Sequence, residues 1–132
     1  MPVLKDMKKV GGGFRNEVEL VRVVYDYTLD GGAVGNYDVL TAESPCVVTL
    51  RHAAVKTAVT SSGSMTIDLG KGVGGTEFFN NKPVASLTLD SLHLTSAPAA
   101  VRLAPGDKVV MALETAPATA GKLEMVFEVT RY

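Results

Sequence analysis

Residues 122–132, KLEMVFEVTRY, decide the fold. Leu123, Met125, Phe127 and Val129 take alternate positions, and Lys122, Glu124, Glu128 and Thr130 fall between them. A period of two is that of a β-strand with one face in a core and one in water, whereas a helix would repeat at 3.6. Immediately upstream, APATAGK breaks the chain with small residues and a proline. Before that break, KVVMALE repeats the pattern, with Val109, Met111 and Leu113 set against Lys108, Val110 and Ala112. The tripeptide Pro105-Gly106-Asp107 introduces it as a turn signal.

Working outward, the same alphabet recurs. Pro98 separates AAVRL from the stretch 84–94, where Leu87 and Leu89 alternate with Ser86, Thr88 and Asp90. Leu92 and Leu94 continue one residue out of step, which predicts a bulge near Ser91 or two short strands. Residues 46–62, CVVTLRHAAVKTAVTSS, are ambiguous, since Val47, Leu50, Ala54 and Ala58 would also line a helix face. Four valines and three threonines favour a strand. It is expected to form a hairpin with the run in which Met65, Ile67 and Leu69 alternate with Ser64, Thr66 and Asp68. Residues 30–39, DGGAVGNYDV, have turn chemistry throughout. Residues 17–30, EVELVRVVYDYTLD, read as a strand through Val21, Val23, Tyr25 and Tyr27.

The expected fold is therefore all-β: an antiparallel β-sandwich, jelly-roll-like, of about eight strands, with an extended N-terminal arm. The 132 residues suit one domain, expected at 17–132 behind an arm at 1–16, and an apolar fraction of 46% provides a core. Nothing approaches the roughly 18 consecutive apolar residues of a membrane span. No secretory h-region opens the chain, so synthesis in a cytoplasm is the expectation. The first fifteen residues carry Lys5, Lys8, Lys9 and Arg15 against Asp6, whereas the remainder is net acidic and the total is −1. The leader reads either as an arm docking on an acidic surface or as a solvated tail. The body lacks the basic face and stacking aromatics of a nucleic-acid binder.

Motifs for chemistry fail one by one. Gly70, Gly72 and Gly75 spell G-x-G-x-x-G, but Asn80, Asn81 and Pro83 leave no room for the helix whose N-terminus would hold a pyrophosphate. Lys71 is not followed by the serine or threonine of a Walker loop. His52 and His93 are the only histidines and sit in no metal-ligand spacing. Cys46, the only cysteine, excludes a disulfide framework and reads as a buried small hydrophobe. No serine occupies a nucleophile elbow. Glu17/Glu19 and Glu124/Glu128 read as the solvated side of a sheet. Neither catalytic residues, nor a cofactor, nor a metal is expected. Phe78 and Phe79 lie in a Gly/Asn-rich loop where two adjacent aromatics are not expected to alternate into one core; one plugs the sandwich end, or one anchors a subunit or partner.

The hairpin-like stretch VTLRHAAVKTAVTSSGSMTIDLGKG, and the turn and strands of LAPGDKVVMALETAPATAGKLEMVFEVTRY, resemble the small capsid cement or decoration proteins of tailed bacteriophages and related β-sandwich head proteins. The resemblance covers about residues 46–132. It implies a closing hairpin from the last two strands and a structural role outside an assembled capsid. The implied partners are the major capsid protein and copies of the chain itself, a trimer being favoured, with neither nucleic acid nor membrane. The partner-binding set is expected in Lys5, Lys8, Lys9, Phe14, Arg15, Phe78 and Phe79, and the location is the virion surface. A tail, baseplate or head–tail connector component, one that binds a receptor or glycan, is the alternative.

Overall fold

A computed structural model describes residues 2–9, 18–93 and 100–131, with the side chains of residues 7–9 outside the description. Among the described residues ten strands form: β1 Asp6–Lys9, β2 Val18–Asp26, β3 Gly35–Thr41, β4 Cys46–Ser61, β5 Thr66–Lys71, β6 Phe79–Pro83, β7 Leu92–His93, β8 Val101–Leu103, β9 Lys108–Glu114 and β10 Ala118–Arg131. One sheet runs β1-β2-β10-β4-β7, with β8 also paired to β4, and the other runs β3-β9-β5-β6. All these pairs are antiparallel. With β7 and β8 sharing one edge position, the chain alternates between sheets in the order of a jelly roll.

This order corrects both expected hairpins. β4 and β5 lie in opposite sheets, as do β9 and β10, so the turns at 62–65 and 115–117 cross the sandwich. β5 and β6, like β1 and β2, are consecutive strands that pair within one sheet.

β10 is flanked on both sides, pairing Lys122–Thr130 with β2 and nearly its whole length with β4. Leu123, Met125, Phe127 and Val129 point into the core, as their spacing predicts. β4 resolves its own ambiguity by changing phase. Cys46, Val48 and Leu50 are buried, then Ala53 and Val55, then Val59. Register shifts against β10 place extra residues at Arg51 and Lys56, and at Arg51 the inward set passes from even to odd positions.

Residues 35–39, read as turn, instead open β3, which runs to Thr41. Gly31 to Val34 supply the turn, and Tyr37 and Val39 then face the core. A register shift against β9 lets Leu40 face the core as well. The turn is tied from inside: the Tyr25 hydroxyl donates to the Gly31 carbonyl and the Tyr37 hydroxyl to the Ala33 carbonyl, each at 2.7 Å. Their rings meet edge to face at 6.1 Å. Burial, the leading cause, raises the phenol pKa of both.

Residues 84–93 keep less strand than their alternation predicts, and Leu94 lies outside the described residues. Leu87 is buried and accepts the Val59 amide, whereas Leu89 and Leu92 are exposed. Local bonds from Leu87 to Val84 and from Ser91 to Thr88 bend it into successive turns as it crosses between sheets.

The described part of the leader, residues 2–9, is extended and runs from β3 to β2. The Leu4 amide donates to Asp38 at 3.0 Å and the Asp38 amide to Pro2 at 2.8 Å, after which β1 joins β2 in the other sheet. Residues 2–9 thus bridge the edges of both sheets, and Leu4 enters the core at 4% exposure.

The glycine motif forms the β5–β6 hairpin loop. Gly72 takes φ +68°, and a Cβ on Gly75 would run into the Lys71 backbone. Two outcomes follow from this packing. Phe127→Ala removes a fully buried ring stacked edge to face on Phe78 at 5.8 Å; denaturant unfolding should show a loss of about 3–5 kcal/mol. Gly75→Ala should lower stability by about 1–3 kcal/mol, read the same way, because backbone rather than a flexible side chain must yield.

Candidate functional site

The amides of the glycine loop are already committed. Gly75 donates to the Gly72 carbonyl at 3.1 Å, Gly72 to Lys108 at 2.8 Å, and Lys71 to the Glu77 carboxylate at 3.0 Å. After Gly75 the chain enters β6 rather than a helix. A phosphate would meet a carboxylate there and no helix N-terminus.

Phe78 and Phe79 are both in the core, at 6% and 5% exposure. Strict alternation does not apply to this pair, because β6 begins at Phe79 and Phe78 belongs to the loop before it, its amide bonded to the Leu69 carbonyl at 2.9 Å; within the pairing, Ile67 to Leu69, three residues of β5, oppose Phe79 to Lys82, four of β6. Asn81 absorbs the extra residue at φ 51°, its amide held by the Asp68 carboxylate at 2.6 Å. Phe78 packs on Phe127, and Phe79 meets the edge of His93 at 6.4 Å with the Lys82 ammonium 5.5 Å above it. Neither ring offers a partner much surface. Of the other expected contact residues, Lys5 is exposed on the leader, its backbone amide bonded to Asp30 at 3.3 Å. Lys8 and Lys9 belong to β1, while Phe14 and Arg15 lie outside the described residues.

The outer face of the larger sheet carries cross-strand ion pairs. Arg22 contacts Glu124 at 2.7 Å and Asp6 at 3.7 Å, and Arg51 contacts Glu128 at 2.7 Å. Lys122 approaches Asp26 at 3.8 Å. Glu124 and Glu128 therefore sit on the wetter face as expected, each with an arginine. On the other sheet Lys108 binds the Asp38 carboxylate at 2.8 Å, while the second carboxylate oxygen is buried without a hydrogen-bond partner. Glu114 has its pKa raised, first by its hydrogen bond to Asp68.

Glu19 departs from the expectation. It shares the inward side of β2 with Val21 and binds Arg131 at 2.7 Å, so this pair faces the end of the sandwich interior. Both line a cavity of about 250 Å³ beneath the leader, walled by Val3, Leu4, Val39, Leu40, Cys46 and Val129. Its parity with Val21 was the signal available in the sequence. Burial pushes the Cys46 thiol pKa up, which suits packing rather than nucleophilic attack. His93 has its pKa lowered, first by burial and then by Lys82, and its ring bonds the Ser91 hydroxyl at 3.0 Å. His52 stands on β4 opposite Val126. Among the described residues no three His, Cys, Asp or Glu side chains converge as metal ligands, and no helix is long and apolar enough to cross a membrane.

The connections gather at two ends. At one, Ala42 and Asp107 exchange bonds beside the glycine loop: Ala42 donates to Asp107 and Gly106 to Ala42, both at 2.8 Å. At the other, the Ala118 amide reaches Gly32 at 2.8 Å and joins the β2–β3 turn to the start of β10.

The chain matches no family model and no curated protein sequence. Its structure is similar to a chain of the cyanophage Pam1 capsid asymmetric unit, with a TM-score of 0.61 and 16% identity over 93% of this chain and 91% of that one. It is likewise similar to a chain of the acidic stable capsid structure of Helicobacter pylori bacteriophage KHP30, with a TM-score of 0.58 and 13% identity over 95% and 93%. The chain shares its fold, almost end to end, with chains of phage capsid structures.

Proposed function

We propose that this chain is a structural virion protein that binds the outside of an assembled phage capsid and stabilises it by bridging neighbouring capsid subunits. The observation that carries the reading is the nearly full-length likeness to chains of two phage capsid structures. The surface chemistry supports it. The cross-strand ion pairs leave side chains of the larger sheet's outer face neutralised in place, and a net charge of −1 suits an outer position away from packaged nucleic acid. The partners are the major capsid protein and further copies of the chain, a trimer being favoured, and the role involves no catalysis. Lys5, Lys8, Lys9, Phe14 and Arg15, all in the leader, form the contact set.

The mechanism is linkage. A protein that binds the closed shell and not its free subunits shifts the assembly equilibrium toward the shell. Several copies joined together raise avidity without a strong single contact. Purified protein mixed with expanded capsids that lack decoration should occupy regular surface sites at fixed stoichiometry, visible by electron microscopy, and should raise the shell's melting temperature. Absence of binding overturns the reading.

A further inference from the structure

We propose that His93 is an acid-sensitive fastener between the two sheets: its neutral imidazole closes the β6–β7 side of the sandwich, and protonation loosens that side. The proposal goes beyond the capsid-binding reading and does not rest on it.

Register places the ring between the sheets. β7 ends the strand order of the larger sheet and β6 that of the smaller. His93 pairs with Ala53 of β4, and Ala53 is fully buried, so the two side chains share the inward side of their sheet. The half-buried imidazole thus projects toward the other sheet, where it meets Phe79 of β6 with ring centroids 6.4 Å apart and planes at 83°. Hydrogen bonds fix it there. The Ser91 hydroxyl lies 3.0 Å from Nε2 and donates to the Thr88 carbonyl at 2.7 Å. The Ser91 carbonyl accepts the Val55 amide and the Asp90 amide donates to the Val55 carbonyl, each at 2.9 Å, which moors this turn to β4. Opposite, the residues flanking β6 are moored to the β5 side, the Phe78 amide on Leu69 at 2.9 Å and the Val84 amide on Met65 at 3.0 Å. Each strand is held by its own sheet, and the His93–Phe79 contact joins the two.

Charge decides which form of the ring fits. The Lys82 ammonium stands 5.5 Å from the centre of the same Phe79 ring. A proton on His93 would set a second cation beside it, at a site where desolvation disfavours charge. Asp90, the acid of the same turn, is exposed. Among the described residues Lys82 is the one charged group that acts on the imidazole, and residues 94–99, Leu-Thr-Ser-Ala-Pro-Ala, contain neither acid nor base. Burial first and Lys82 second lower the pKa of the ring, against a hydrogen bond to the Ser86 backbone that raises it. As pH falls, the unfolded chain therefore takes up the proton before the folded one. Stability is whole above the ordinary imidazole value of about 6.5 and declines as pH drops from there through the folded value.

The test follows urea unfolding and amide protection of wild type, His93→Gln and Lys82→Gln at about pH 7.5 and about pH 5. Relative to His93→Gln, the wild-type folding equilibrium constant should fall by more than about twofold on acidification, beyond the scatter of a neutral surface change. Protection of the Phe78 and Val84 amides, normalised to β10, should drop in wild type and hold in His93→Gln. In Lys82→Gln, the NMR titration of His93 should move to higher pH and the acid loss should shrink. Should His93→Gln fail to fold, the comparison of wild type with Lys82→Gln decides. Equal acid responses of wild type and His93→Gln overturn the inference, and a His93 titration unmoved by Lys82→Gln does the same. A wild-type His93 that titrates at or above about 6.5 also overturns it. So does protection lost evenly over both sheets, which marks global weakening rather than release of one side.

Discussion

The register between β4 and β10 is the constraint on which this sandwich depends. Side chains of a strand alternate strictly, so a pairing of this length cannot follow a twisted, curved sheet and keep every apolar residue inside unless the phase is reset. β4 resets it at Arg51, and a second irregularity at Lys56 keeps the parity. The reset changes the inward set from even to odd positions, from Leu50 to Ala53, and the odd set continues through Val55 to Val59. With that phase correct, Met125 and Phe127 of β10 meet the inward side chains of β9 and β5, and the second sheet has a surface on which to close. Phe78 then finds the Phe127 ring from the hairpin that β5 begins.

What the sequence discloses follows from how local each feature is. β9 and β10 were legible because their alternation is a property of consecutive residues. The neighbours of each strand were not, because alternation carries no information on which strand lies alongside. Two consecutive strands invite a hairpin, and here the jelly roll sends both such pairs to opposite sheets. β3 hid behind its composition: Gly35 and Asn36 are turn formers, and only the packing of Tyr37, Val39 and Leu40 overrides that preference. Phe78 and Phe79 escaped the alternation rule because the strand starts at Phe79 and Phe78 enters the core from the loop before it, a boundary that no local pattern announces. The jelly-roll class itself was legible from strand number and punctuation.

The candidate surfaces show the same division. The failure of the glycine motif as a phosphate loop was readable from the missing helix, and the spent amides give its structural counterpart. The inward ion pair of Glu19 and Arg131 needed only parity counting. A sequence without convergent chemical groups gives no pointer to a contact surface.

The position of β10 has a consequence for how the chain acquires its structure. It follows every other strand in sequence yet occupies the middle of the larger sheet, and its pairing with β2 joins residues about a hundred positions apart. During synthesis, β2 and β4 emerge long before the strand that must lie between them. Their apolar rows have to wait, and high contact order makes the wait long. Chaperone shelter or rapid completion of translation would guard that interval, because the exposed strands are most open to wrong partners then. The sandwich is thus assembled from its periphery inward, with the central strand arriving last.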